Sequence, residues 1–67
     1  MAKIQLNGRK IKLNNKYSIA TLLKKYKIDS KKVAVELNRK IINQSKYKLI
    51  YIKDNDQIEV VHFIGGG

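Results

Sequence analysis

Apolar and polar residues alternate in two short runs at the start of the chain. The first run covers residues 3–7, and the second covers residues 9–13. Asn7-Gly8 stands between them, and both residues tolerate the positive φ of a type I′ turn. An Asn-Gly pair flanked by alternating runs is a strong hairpin signal, so the pattern predicts a β-hairpin.

The next segment carries apolar residues at helical spacing. Four positions fall at i, i+3, i+4 and i+7, which form one stripe on a helix: Ile19, Leu22, Leu23 and Tyr26. Ser18 precedes them, and its hydroxyl can accept a hydrogen bond from a free amide of the first turn. The sequence predicts one short helix over residues 19–27, followed by a loop at residues 29–32.

The second half of the chain predicts three more strands, at residues 33–37, around 40–42 and at 58–63. In the first of these, Val33, Val35 and Leu37 share one face. Asn38-Arg39 predicts a tight turn, and Asp54-Asn55-Asp56 predicts a second turn in which Asn can adopt the left-handed conformation. Residues 43–53 show no regular period and supply apolar cover.

A helix with one apolar stripe must bury that stripe against a sheet. The order of elements therefore predicts an α+β fold, a mixed sheet of four to five strands packed on one helix. The last strand returns to lie beside the first, which is the topology of the β-grasp, or ubiquitin-like roll. We expect this domain to cover residues 1–64, with a flexible glycine tail at residues 65–67.

The length and composition exclude several classes of protein. Sixty-seven residues form one domain with a small core, which leaves little room for an enclosed substrate cavity. The chain has no cysteine, so disulfides and cysteine-ligated metals are excluded. Asp54 and Asp56 fall short of a calcium loop, and the lone His62 has no evident acid partner or pocket. We therefore expect no metal site, no bound cofactor and no catalytic residue.

The formal net charge of +10 has two readings. Residues 1–34 hold ten of the fifteen basic residues and one acid, a distribution that suits nucleic acid. However, thirteen of the fifteen are Lys, whereas recognition of phosphates and bases favours Arg. Lys, Ile and Asn, which have AT-rich codons, make up 29 of the 67 residues. We favour codon bias as the explanation and do not expect nucleic acid as the partner.

Three consecutive glycines end the sequence, at Gly65, Gly66 and Gly67. A frayed end is the simplest interpretation of such a terminus. However, the glycines follow a β-forming strand directly, and glycine is the thinnest residue and the least restricted in φ and ψ. A carboxylate at the end of such a thread can reach another protein's nucleotide site and be adenylated there.

The sequence resembles the ThiS family of sulfur carriers in thiamin biosynthesis across essentially the whole chain. Residues 58–67 look like the family's ending, an acidic strand followed by Val-His-Phe-Val-Gly-Gly-Gly. Residues 4–8 and 33–38 also look like the family's segments. Among the departures, the family commonly has Gly where Arg39 and Asn55 stand, and often Trp where Tyr47 stands.

The resemblance implies a specific role for the tail. A partner related to ubiquitin-activating enzymes uses ATP to adenylate the terminal carboxylate, here that of Gly67, while Gly65 and Gly66 thread its active site. A persulfide-bearing protein converts the adenylate to a thiocarboxylate, and thiazole synthase takes the sulfur. The chain would then be a protein co-substrate, not an enzyme.

The last strand also predicts a docking surface. Val61 and Phe63 share the phase opposite to Ile58 and Val60, so they lie beside the tail on the face away from the helix. Ile64, which follows them, is the third expected docking residue. An apolar patch there suits a partner, unless residues 43–52 cover it. Two alternatives remain open, a carrier of the molybdopterin-synthase small-subunit type and a β-grasp RNA-binding module.

The expected compartment follows from two kinds of segment that the sequence does not show, a secretory signal and a membrane span. The start of the chain has no continuous apolar run of the kind found in secretory signals, and no segment is long enough to span a bilayer. We expect no membrane partner and a cytoplasmic protein, or a protein of the plastid stroma if the gene lies in an organelle.

Overall fold

Two hairpins and one long strand build a five-stranded mixed sheet. The computed structural model describes residues 2–63. Its strands are β1 (Ala2–Leu6), β2 (Arg9–Leu13), β3 (Val33–Leu37), β4 (Lys40–Ile42) and β5 (Gln57–His62). They lie in the order β2-β1-β5-β3-β4. β1 and β5 are parallel and the other pairs are antiparallel, which confirms the predicted β-grasp fold.

The two hairpins have tight two-residue turns with left-handed backbone. Asn7 has φ 50° and Gly8 has φ 80°, while Asn38 has φ 52° and Arg39 has φ 71°. Positive φ at both central residues is the mark of a type I′ turn, whose twist matches that of the flanking strands. Arg39 holds this conformation without the freedom of glycine.

The helix is shorter than the sequence pattern predicts. Helix α1 covers Ile19–Lys25, and Ser18 caps it by accepting a hydrogen bond from the Thr21 amide at 3.1 Å. The prediction of a helix to residue 27 is wrong because Lys27 adopts φ 58°. The amides of Lys27 and Ile28 then bond to the carbonyls of Lys24 and Leu23, which closes the end in a Schellman motif.

Two segments without a regular period contain short 3₁₀ turns. Ser30–Lys32 forms one turn within the predicted loop, where the Asp29 carboxylate accepts from the Lys31 amide at 2.9 Å. Gln44–Lys46 forms the other, capped in the same way by Asn43. Such side-chain bonds to nearby amides give no periodic signal, so the hydrophobic pattern did not reveal these turns.

The core lies between one face of the sheet and the helix. Eleven apolar side chains are buried there: Ile4, Leu13, Ile19, Leu22, Leu23, Val33, Val35, Tyr47, Ile52, Ile58 and Val60. Tyr26, the last residue of the helical stripe, is 41% exposed because it caps the helix instead of continuing it. Within residues 2–63, no helix has the length and hydrophobicity that crossing a membrane requires.

Candidate functional site: the open face of the sheet

The face of the sheet away from the helix carries the exposed residues of β5. Ile58 and Val60 are buried against the helix, whereas Val61 is 59% exposed, as is Phe63 just after the strand. This alternation follows the predicted phase. We call this surface the open face.

Residues 43–52 do not cover the open face. Their main chain is bonded to the helix, where the amides of Ile19 and Ala20 donate to the carbonyls of Ile50 and Tyr47 at 3.0 and 2.9 Å. The segment therefore closes the other side of the molecule. Val61 and Phe63 stay accessible, so they are available for the predicted docking role.

The strand register brings a further apolar side chain to the open face. Ile41 of β4 lies opposite Glu36 of β3, and Glu36 in turn lies opposite Glu59 of β5. Ile41 is 77% exposed. The sequence placed Ile41 in a short strand without showing its face, because a strand of three residues has too few positions for alternation to indicate one.

Lysines occupy the other edge of the open face. Lys3 on β1 and Lys10 and Lys12 on β2 all belong to the phase that faces away from the core. Together with Asn55 they line an open cleft of about 930 Å³. We call Lys3, Lys10 and Lys12 the basic edge. Two of these three strand positions pair directly, Lys3 with Lys12.

The end of β5 is held firmly where it leads toward the glycines. The Phe63 amide donates to the Lys32 carbonyl at 2.9 Å, which continues the pairing with β3 past the end of the strand. On the other side, the Asn7 side chain bonds to the main chain of Val60. The predicted sites at Ile64, Gly65, Gly66 and Gly67, and with them the tail boundary at residue 65, lie outside the described residues.

The acids of the 54–56 turn bind main-chain and amide groups of the protein itself. Asp54 Oδ1 accepts from the Lys3 amide at 2.7 Å. Asp56 accepts from Asn38 Nδ2 at 2.9 Å and from the Lys53 amide at 2.7 Å. Asn55 at the centre has φ 71°, the left-handed conformation that the sequence predicts. These contacts give both carboxylates a structural role, which joins the turn to the first strand and to the second hairpin.

His62 and Tyr47 differ in their surroundings. His62 ends β5 as an exposed residue. Tyr47 is only 3% exposed, and this burial raises the pKa of its hydroxyl, while a hydrogen bond with the Val35 main chain acts in the opposite direction. Tyr47 is thus a core residue whose hydroxyl is kept neutral.

The family model for the ThiS family matches residues 3–67. The chain belongs to the ThiS family. It is 42% identical over 65 residues to the sulfur carrier protein ThiS of Bacillus subtilis (strain 168), a match that covers 96% of this chain and 98% of the relative. The resemblance expected from the sequence is therefore confirmed.

Two further similarities place this ThiS-family chain. The crystal structure of the thiamine biosynthesis protein (ThiS) from Geobacter metallireducens matches it with a TM-score of 0.84 at 26% identity, over 97% of this chain and 99% of that chain. A thiazole synthase of Paramagnetospirillum magneticum is 38% identical over 65 residues, which are 97% of this chain and 20% of the synthase. One fifth of that synthase therefore resembles a ThiS-family chain.

Proposed function

We propose that this protein is a sulfur carrier for the thiazole ring of thiamin and that Gly67 carries the sulfur. The observation that carries the proposal is the full-length similarity to the sulfur carrier ThiS, which includes the terminal glycines within the family match. The fold supports it, because the strand that leads to the glycines is bonded as far as Phe63 on the β3 side and as far as Val60 on the β1 side. The chain is therefore anchored in the sheet up to the last described residue, Phe63.

The chemistry requires three steps that convert the Gly67 carboxylate into a thiocarboxylate. The carboxylate oxygen attacks the α-phosphorus of ATP, and pyrophosphate leaves. The terminal sulfur of a persulfide then attacks the acyl carbon, and AMP leaves with the electron pair of the broken bond. A thiol of the sulfur donor finally attacks the remaining S–S bond, which frees the thiocarboxylate and leaves the donor oxidised as a disulfide.

The partners follow from these steps. An adenylating enzyme related to ubiquitin-activating enzymes supplies the ATP site, so this chain binds no cofactor and acts as a co-substrate. Val61, Phe63 and Ile64 dock onto that partner, while Gly65 and Gly66 thread its active site. Thiazole synthase consumes the sulfur, a role supported by the synthase chain that contains a ThiS-like fifth. These steps take place in the cytoplasm, or in the plastid stroma if the gene lies in an organelle.

An intact-mass measurement tests the proposal. The protein is incubated with ATP, the adenylating enzyme of its host and a persulfide donor, and we expect the mass increase of one oxygen-to-sulfur exchange. Two variants serve as controls, a chain that lacks Gly67 and a chain with one alanine added after Gly67, and neither should gain the sulfur. An unchanged wild-type mass, together with salt-sensitive binding of RNA, would favour the RNA-binding alternative and overturn the carrier.

A further inference from the structure

Like charges face each other at two places on the open face. Lys3 lies opposite Lys12 in the pairing of β1 with β2, and Glu36 lies opposite Glu59 in the pairing of β3 with β5. Like charges placed directly opposite in an antiparallel pair destabilise a sheet. Both pairs therefore oppose folding, and the fold itself offers no reason for them.

The lysine pair belongs to the closer type of antiparallel pair. The amide and the carbonyl of Lys3 are bonded to Asp54 and Asn55, so they point away from β2. Residues in such a non-hydrogen-bonded pair have Cα atoms about 4.5 Å apart. Beyond this pair on the open face the register places Gln5 opposite a third lysine, Lys10, and then Gln57, while Asp56 lines the same cleft as the three lysines.

The two charged pairs divide the open face into distinct zones. The basic edge lies on β1 and β2, and the acidic pair of Glu36 and Glu59 lies on β3 and β5. The exposed side chains of Ile41 and Val61 flank the acidic pair. The open face is therefore basic on β1 and β2 and acidic on β3 and β5, with apolar side chains at the β4 edge, where Ile41 lies, and further along β5, where Val61 lies.

This division favours a protein over the other candidate occupants. Glu36, Glu59 and the apolar side chains are unsuited to a phosphate backbone, which binds continuous positive surfaces. A second copy of this chain would bring another net charge of +10 against the first and be repelled. A partner protein with acidic groups opposite the basic edge and a cationic group opposite the acidic pair relieves both repulsions.

We propose that the open face docks onto such a bipolar, mainly acidic surface of the adenylating enzyme, and that the two charged pairs set the orientation of docking. This inference rests on the proposed function. In one orientation the basic edge faces acidic groups of the partner and the pair of Glu36 and Glu59 faces a cationic group. The reverse orientation is disfavoured because it places like charges against each other. The productive orientation is the one that directs the glycines toward the nucleotide site.

Reversing one charge of a pair should stabilise the fold or leave its stability unchanged, and it should weaken docking. The variants therefore distinguish an effect on docking from an effect on folding. Lys12→Glu and Glu59→Lys each turn a like-charge pair into an opposite-charge pair, so the unfolding free energy should not fall. The same variants should raise KM for the host's adenylating enzyme about fivefold at low salt, with kcat nearly unchanged. Lys48→Glu is the matched control, because Lys48 is exposed in the segment that packs on the helix.

The measurement is the rate of pyrophosphate release at several carrier concentrations and at two salt concentrations. At about 0.5 M salt the KM values of the variants should approach that of the wild type, because exposed charges are then screened. Equal KM values for wild type and both variants at low salt overturn the proposal while wild-type turnover upholds the carrier function. An equal rise in KM for Lys48→Glu also overturns it, since net charge alone would then explain the effect.

Two binding assays test the other occupants. Poly(U) that displaces the enzyme from the wild type at physiological salt would assign the basic edge to RNA. A wild-type dimer in sedimentation that Lys12→Glu abolishes would assign the open face to a second copy. Either result overturns the proposal. A wild-type protein that the enzyme does not turn over at all refutes the proposed function, and the docking proposal falls with it.

Discussion

Asn7 and Val60 are joined by two hydrogen bonds that extend the pairing of β1 with β5 past the end of β1. The Val60 amide donates to Asn7 Oδ1 at 2.7 Å, and Asn7 Nδ2 donates to the Val60 carbonyl at 3.3 Å. Asn7 already occupies the left-handed turn position of the first hairpin. The backbone of Asn7 therefore forms part of the turn. Its side chain makes the bonds to β5 that a further residue of β1 would have made.

Asn7→Gly should lower the unfolding free energy by about 2 kcal/mol, because each of the two hydrogen bonds contributes about 1 kcal/mol. Glycine accepts positive φ, so the turn itself is retained. Urea denaturation measures the change. Asn55→Gly is the control, since Asn55 also has positive φ but its side chain makes none of the hydrogen bonds found among residues 2–63. Equal losses in both variants would show that the Val60 contacts do not contribute.

Arg39→Gly should raise the unfolding free energy by about 1 kcal/mol. Arg39 adopts φ 71°, a conformation that costs about 1–2 kcal/mol in residues with a Cβ and little in glycine. The gain is partly offset by the greater freedom of glycine in the unfolded chain. Thermal denaturation of Arg39→Gly and of Arg39→Ala measures the change in stability of each variant. Only glycine relieves the cost of the positive φ, because alanine keeps a Cβ. A comparable gain for alanine would assign the effect to the lost charge rather than to φ.

Phe63→Ala should slow adenylation about tenfold in kcat/KM, the effect of removing an aromatic contact at the centre of an interface. Because the ring is 59% exposed, the unfolding free energy should change by less than about 1 kcal/mol. Tyr51→Ala is the control, an aromatic of similar exposure that pairs with Ser18 on the helix side. Adenylation of Phe63→Ala at the wild-type rate would exclude Phe63 from the docking surface.

The stability difference between wild type and Tyr47→Phe should depend on pH. Burial raises the pKa of the Tyr47 hydroxyl in the folded state, so the folded protein holds this proton more tightly than the unfolded chain. That contribution is complete below the unfolded pKa of about 10 and is lost as pH rises through the folded pKa. Well below this pH the stability difference between the two proteins should be constant, because the Tyr47 hydroxyl stays protonated in both the folded and the unfolded chain.

Denaturant titrations of both proteins between pH 7 and pH 11 measure this dependence. The unfolding free energy of the wild type relative to that of Tyr47→Phe should fall above about pH 10, where Tyr47 begins to ionise on unfolding. The lysines titrate in the same range, but they are common to both proteins and cancel in the difference. A difference that stays constant over the whole range would show that the folded pKa of Tyr47 is not raised.

Most elements of the fold could be predicted because their signals are local. Asn7-Gly8 sets the first turn, alternation sets the strands, and Ser18 sets the start of the helix. The end of the helix was placed two residues too late, because Lys27 in the left-handed conformation carries no sequence signal of the kind that glycine gives. The 3₁₀ turns were not foreseen for a similar reason, since their capping bonds follow no hydrophobic period.

The site could be predicted in part. The alternation of β5 was enough to place Val61 and Phe63 away from the core, and the structure leaves both exposed. The contribution of Ile41 to the same face depended on the register of β4 against β3. The position of Glu59 opposite the like-charged Glu36 depended on the register of β5 against β3 in the same way, and a shift of one residue would have moved Glu59 to the other face.

The sequence by itself determined the order of elements, the face of each longer strand and the family, because period, turn residues and the glycine ending are carried by neighbouring positions. Only the tertiary structure decided which residues meet across the sheet. Asn7 bonds to Val60 and Glu36 pairs with Glu59 through strand pairings that join distant parts of the chain. Such pairings depend on the combined packing of the helix and five strands on one core, a property that no single segment contains.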